Sequence, residues 1–211
     1  MVLEGTVRGT GGLRITGDDC ATIVPGLYAA GDVATRELVS GAVSGGGAYN
    51  GAWAISSGTW AGRGAPVFAA GRARPHAVPA GRAGLDPGRL DAATVIRAVQ
   101  DEMLPLDRNL FRTRDKLRDS LASLDALWER ITSQGIAGTG RERLRARSAT
   151  AMTAHARWCY IAALARPESQ GMHRLENLPP LRQYEHRRLV GGLDEPWTAA
   201  EPAAEPQETP A

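Results

Sequence analysis

One stretch of the chain repeats apolar residues at three- and four-residue spacing. Leu117, Leu121, Leu124, Leu127, Trp128 and Ile131 share one face, with charged and polar residues opposite, which predicts an amphipathic helix of about five turns. Upstream, Asp91 stands before Val95, Ile96, Val99 and Met103 at the same spacing, predicting a capped helix that Pro105 ends. After the breakers Gly135, Gly138 and Gly140, a third helix is expected from about Arg141 to Ala165, with Leu144, Met152, Trp158, Ile161 and Leu164 as its core residues. Three helices with short connections predict a bundle.

The preceding part of the chain follows another pattern. Gly11 to Thr16 alternates like a strand, Gly17-Asp18-Asp19 is a turn signal, and Ala21 to Val24 returns. Pro25-Gly26 turns again into Leu27 to Ala30, a short apolar strand that delivers Gly31 and Asp32 at its carboxyl end. Gly45, Gly46, Gly47 and Gly51 crowd the start of a helix expected to reach Ala61, with Tyr49, Trp53, Ile55 and Trp60 filling core. Arg63 to Gly88 holds Gly, Pro, Ala and Arg without periodicity and reads as a linker after a possible helix extension. Beyond Leu189, Gly191-Gly192 and the Pro/Ala/Glu tail are expected to stay disordered for want of apolar surface to bury. The fold class is therefore α+β, with segments 1–63, 64–88 (linker), 89–182 (helical) and 183–211 (extension and tail).

Composition narrows the function. The 211 residues carry a net charge of +2, with no dense basic run interleaved with aromatics, so nucleic acid is not an expected partner. No run approaches the ~18 apolar residues of a membrane span, and no secretory signal opens the chain, so a soluble cytoplasmic protein is expected. Cys20 and Cys159 stand far apart, and no Cys or His spacing suits zinc; no metal site is expected, and both thiols are read as reduced. His76 reads as a solvated linker residue, and His155 as a surface or satisfied core residue.

The candidate chemistry lies between positions 22 and 62. A carboxylate at the carboxyl end of a buried strand, where open α/β sheets place ligands, can accept hydrogen bonds from sugar or polyol hydroxyls. A glycine-rich helix start offers unpaired N–H groups and the positive end of the helix dipole to an electron-rich atom. The same glycines are also compatible with a capping loop.

Pro-Gly-Leu-Tyr-Ala-Ala-Gly-Asp (residues 25–32) followed by the glycine-rich helix start resembles the closing half of the FAD domain in the fumarate reductase/succinate dehydrogenase flavoprotein family, which includes L-aspartate oxidase. The resemblance implies a partial, Rossmann-like FAD-binding segment. It assigns Gly31 and Asp32 to the ribityl chain of FAD, and Gly46, Gly47, Ala48, Tyr49 and Asn50 to the flavin pyrimidine edge. It extends to Asn109 through Leu117, similar to a family motif in which an Arg-Thr pair precedes a long helix. It extends also to residues 167–179, similar to the family's Glu-Ser-Arg-Gly-x-His-x-Arg-Glu-Asp-x-Pro. Gln170 and Leu175 stand where that motif has arginine, and Asn177 where it has an acid. The substrate-binding His expected near Thr6 or Val7 is absent, and Ser44 or Gly45 stands where dicarboxylate enzymes carry an Arg. His173 and Arg174 are the remaining candidate substrate contacts, and no residue is assigned as catalytic acid or base.

The family's Gly-x-Gly-x-x-Gly pyrophosphate turn and its capping domain have no counterpart in these 211 residues. The resemblance thus implies a C-terminal fragment or split subunit of an FAD-dependent oxidoreductase. Its expected partners are a chain carrying the N-terminal FAD and capping domains and an iron–sulfur subunit. A non-catalytic helical interaction module and a degenerate remnant are the alternatives.

Overall fold

The computed structural model describes residues 11–36, 39, 47–72, 87–169, 173–179 and 186–202. They fall into two compact units, one within Val7–Pro79 and the other within Ala80–Ala211. Helices and a small sheet give the α+β class.

In the first unit the expected strands are present only as isolated bridges. Leu13 pairs with Ala34 in parallel, Ile15 with Thr22 and Ala21 with Tyr28 in antiparallel fashion. Turns interrupt each ladder after one pair: Cys20 has a positive φ of 62°, and Gly26 one of 87°. Helix α1 (Gly47–Ala70) lies against this ribbon. Trp53 is buried with Ala29 and Ala34, and Ile15 packs on them. The helix does not stop at Ala61 but runs nine residues further, through Pro66, so residues 64–70 are not linker. Aromatic contacts explain the extension: Phe68 meets Tyr28 edge-on at 6.4 Å, and Arg72 stacks over Phe68 at 3.8 Å. Two glycines permit the close approach. A Cβ at Gly64 would lie 2.6 Å from a carboxylate oxygen of Asp19, and one at Gly26 would lie 2.9 Å from the Phe68 ring.

The second unit opens with β1 (Pro87–Leu90), whose Leu90 bridges to Ile136. There follow α2 (Ala92–Met103), the short α3 (Leu106–Asn109), α4 (Arg114–Gln134) and α5 (Glu142–Leu164). Asp91 caps α2 as expected, accepting the Thr94 N–H, and Thr113 caps α4 by accepting the Lys116 N–H. One core joins the three long helices: Val95 and Val99 of α2, Leu117, Leu124, Leu127 and Ile131 of α4, and Ala149, Ala156 and Tyr160 of α5.

The contribution of α5 differs from expectation. Leu144 is 72% exposed and Met152 faces outward, while Ala146, Ala149, Thr150, Thr153 and Ala156 line the core. Through most of its length α5 fits against α2 and α4 by being small, and near its end Tyr160 is fully buried and Leu164 packs against the core. Thr150 and Thr153 satisfy their hydroxyls on their own helix, donating to the carbonyls of Ala146 and Ala149.

The segment expected to be disordered contains a hairpin. β2 (His186–Gly191) pairs antiparallel with β3 (Trp197–Pro202), Val190 opposite Thr198 and Gly191 opposite Trp197. Its turn is fastened to the helices by polar groups rather than by a core. Trp128 Nε1 donates to Asp194, Trp158 Nε1 donates to the Gly192 carbonyl, and Arg157 bonds both Asp125 and the Leu193 carbonyl. Residues 203–211 of the expected tail lie outside the described residues.

Candidate functional site

The turn that carries the acid is built on Gly31, whose φ of +66° a side chain would strain. Gly31–Val33 form a 3-10 turn, and both polar groups of the Gly31 backbone are tied to α1. The Gly31 N–H donates to Ser57 Oγ at 2.9 Å, and Trp53 Nε1 donates to the Gly31 carbonyl at 2.9 Å. Ser57, fully buried, passes its own hydrogen to the Trp53 carbonyl. Trp53 and Ser57 lie one turn apart, so the pair works as a two-point clamp on a single residue, holding the peptide groups on both sides of Gly31. The sequence reading placed Trp53 in the core and left Ser57 without a role. The available signal was a Trp-x-x-x-Ser spacing on the helix that follows a Gly-Asp strand end.

Asp32 is thereby held at the surface. Its side chain is 75% exposed, and Oδ1 receives a 2.7 Å bond from the buried guanidinium of Arg36. A carboxylate so oriented by one cation keeps acceptor capacity on its solvent side for hydroxyl donors. Gly47, Ala48 and Tyr49 form the first turn of α1, and Asn50 follows with its side-chain Oδ1 shut off from solvent and without a hydrogen-bond partner among the described residues. Gly46 lies outside the described residues. Gly47 precedes Trp53 by six residues, about 9 Å along the axis at ~1.5 Å per residue. The clamped acid and the helix start are thus mounted on one rigid element. Ile55 and Trp60, expected in the core, are largely exposed instead.

The second candidate group lies just before α4 and after α5. Arg112 bridges to Leu175, and the Glu176 N–H donates to the Arg112 carbonyl at 2.8 Å. Arg112 Nη1 lies 3.2 Å from His173 Nδ1. The guanidinium can only donate, so Nδ1 accepts and the proton sits on Nε2, which is buried and has no partner among the described residues. Burial, reinforced by the neighbouring Arg112 and Arg166, lowers the His173 pKa to about 4, so the ring is neutral at pH 7. It can donate one hydrogen bond there and cannot serve as an acid. Arg174 is exposed. Glu168, 1% exposed, is held by Arg166 at 2.6 Å and keeps its Oε2 without a partner among the described residues. Leu175 is buried in the helical core, and its N–H and carbonyl are both bonded by Ser169 Oγ, so an apolar side chain fills the position where the resembled motif has arginine.

Among the described residues no group of three or more His, Cys, Asp or Glu is placed to hold a metal ion, and no helix is long and apolar enough to cross a membrane.

No curated protein sequence matches the chain. Residues 100–199 match the family described as fumarate reductase flavoprotein C-term. Among solved structures, the FrdA chain of an E. coli quinol fumarate reductase variant superposes with a TM-score of 0.68 at 18% identity, over 96% of this chain and 37% of that one. A quinol-fumarate reductase with menaquinol molecules gives 0.66 at 19% identity, over 92% and 37%. Mycobacterium smegmatis Sdh1 in complex with UQ1 gives 0.60 at 19% identity, over 90% and 34%. At these identities the likeness is one of fold, and the chain spans little more than a third of each of those proteins. Residues 100–199 thus match the family of fumarate reductase flavoprotein C-terminal domains, and the chain as a whole shares its fold with a portion of those solved flavoprotein structures.

Proposed function

We propose that the chain supplies the ribityl and flavin-edge contacts of an FAD-dependent oxidoreductase whose pyrophosphate-binding and capping parts come from another polypeptide segment. The observation that carries this is the clamped turn: an exposed carboxylate, oriented by Arg36, on a glycine bonded at both ends to the helix that begins six residues before Trp53.

The residues present fit the cofactor. Asp32 would accept from ribityl hydroxyls, and the first turn of α1 would present N–H groups to the pyrimidine edge, where Asn50 Oδ1 still lacks a donor. Bound FAD supplies the hydride chemistry; this chain contributes orientation and stabilises negative charge at the flavin edge. Residues 1–63 then serve as the closing part of the FAD domain, and residues 89–182, with the three long helices as a bundle, as the family's helical domain. His173, a neutral donor, and the exposed Arg174 are the substrate contacts proposed on that domain. An iron–sulfur subunit and a cytoplasmic location complete the reading.

Co-expression with a chain carrying the strand, Gly-x-Gly-x-x-Gly turn and capping domain tests it through the absorbance spectrum of the purified complex. Stoichiometric flavin in the complex, none in this chain alone, and loss of flavin with Asp32→Ala are expected. Flavin retained at full stoichiometry by Asp32→Ala, or by this chain alone, contradicts the assignment.

A further inference from the structure

Around its whole circumference α1 is made of apolar and small residues, with Arg63 as the single charge in 24 positions. A helix of that composition is covered on all sides when folded. Within its unit, however, Trp53 and Ser57 are the only buried residues among its described side chains. The opposite face carries Gly51, Ile55, Gly58, Gly62 and Pro66 at helical spacing, and all five are exposed. Ile55 is 74% exposed, and no described atom lies within 4 Å of a Cβ built on Gly51, Gly58 or Gly62.

That face identifies the kind of occupant. It runs about 22 Å along the axis, fifteen residues at ~1.5 Å each, which is the scale of a secondary-structure element rather than a small ligand. It offers no charge to pair with, so the occupant is apolar. Its glycines let a backbone approach closely. Among the described residues no helix, α1 included, is long and apolar enough to cross a lipid bilayer. The structural relatives extend far past this chain, which covers 37% of the E. coli fumarate reductase chain.

The geometry points to the outer face of α1 as the seat of the rest of the flavoprotein, which lays the apolar side of a sheet or helix along Gly51–Pro66. This rests on the function proposed above and adds the surface through which the two portions join. The contact lies on the side of α1 opposite Trp53 and Ser57, so it can be altered without touching the Gly31 clamp or Asp32.

The test measures association of this chain with the co-expressed pyrophosphate-and-cap chain by analytical ultracentrifugation, and amide hydrogen exchange of α1 with and without it. Ile55→Glu and Gly58→Trp both place their new atoms in solvent, and unchanged circular dichroism of the free chain verifies that they fold. The expected result is a heterodimer in which α1 amides become protected, weakened about tenfold or more by either variant, since Ile55→Glu buries an unpaired charge at the contact and Gly58→Trp fills the space the partner occupies. Glu129→Gln, on an exposed position of α4, is expected to leave the affinity unchanged. A wild-type heterodimer that both variants form with undiminished affinity overturns the docking face while leaving the flavoprotein reading in place. Failure of the wild-type chains to associate overturns that reading itself. Self-association of this chain, dissolved by Ile55→Glu, assigns the face to a second copy and overturns the proposal.

Discussion

Helices α1 and α4 are of similar length, 24 and 21 residues, and find very different surroundings. On α4 the apolar residues form one stripe, and Leu117, Leu124, Leu127, Trp128 and Ile131 on it are buried against neighbours within the same unit. On α1 apolar residues lie all round, and a single stripe, through Trp53 and Ser57, finds a partner. An amphipathic pattern records a helix with one covered face; an apolar circumference records a helix meant to be surrounded. The helical unit covers the stripe of α4 with its own described residues. The first unit carries a core of three buried residues and leaves Ile23, Val24, Leu27 and Val33 largely exposed as well as Ile55.

The contrast is tested most severely in the larger core, that of the helical unit. Leu124 is 1% exposed at the meeting of the long helices. Leu124→Ala should lower the stability of the helical unit by about 2–5 kcal/mol through lost burial and the cavity left behind. Urea denaturation followed by circular dichroism reads it. A loss below ~1 kcal/mol would mean this core repacks freely, and that the difference between the units is smaller than drawn here.

A pair of glycines on α1 sharpens the other side of the comparison. Gly64 faces the ribbon, where a methyl group would stand 2.6 Å from Asp19 Oδ2 and 2.8 Å from its Cβ. Gly58 faces open space. Gly64→Ala should therefore cost about 1–3 kcal/mol by overpacking, whereas Gly58→Ala should stabilise by roughly 0.5–1 kcal/mol, the helix-propensity gain. Thermal unfolding of the two variants side by side decides it. Equal effects would mean that the two faces of α1 do not differ in packing.

The same physics explains what could be read in advance. Helices α2 and α4 were legible because a covered face and a solvated face impose a 3.6-residue rhythm, and Asp91 and Thr113 mark their starts. The core face of α5 is not legible in the same way, because apolar size does not mark it. Most of its buried positions are Ala and Thr, with Arg157 and Tyr160 beside them, while Leu144 faces water. The hairpin at 186–202 was missed for a different reason. Its turn is held by indole and guanidinium groups on α4 and α5, and such long-range polar ties leave no periodic trace. The extension of α1 past Pro66 likewise depends on Phe68 meeting Tyr28, forty residues away in the chain. At the candidate site the sequence pointed to Gly31 and Asp32. The clamp by Trp53 and Ser57, and the cation Arg36 behind the acid, became visible only with the fold.

Capping offers a smaller effect. Thr113→Ala removes the acceptor of the Lys116 N–H at the start of α4 and should cost about 1 kcal/mol. Thr113→Ser, which keeps the oxygen, should restore most of it. Since the cap lies next to Arg112, hydrogen exchange of the first turn of α4 can separate this local fraying from a wider loss.

The finest distinction concerns pH, and it returns to the helical unit. His173 has an ordinary pKa of 6.5 and one of about 4 in the folded chain, first because it is buried and second because Arg112 and Arg166 stand near it. The unfolded chain therefore takes up this proton at higher pH than the folded chain does. The contribution of the neutral ring is fully present above pH 6.5, declines as pH falls from 6.5 toward 4, and is lost below that. His173→Gln keeps an acceptor for Arg112 and a donor in place of Nε2–H, yet cannot titrate. The difference in urea midpoint between wild type and His173→Gln should thus be constant above pH 6.5 and should shift against wild type on acidification toward pH 4. Part of the side chain reaches solvent, which screens the shift and makes it the smallest of these effects. A difference independent of pH across that window would mean that the ring titrates alike in both states, and that the surroundings of His173 are more open to water than its contact with Arg112 indicates.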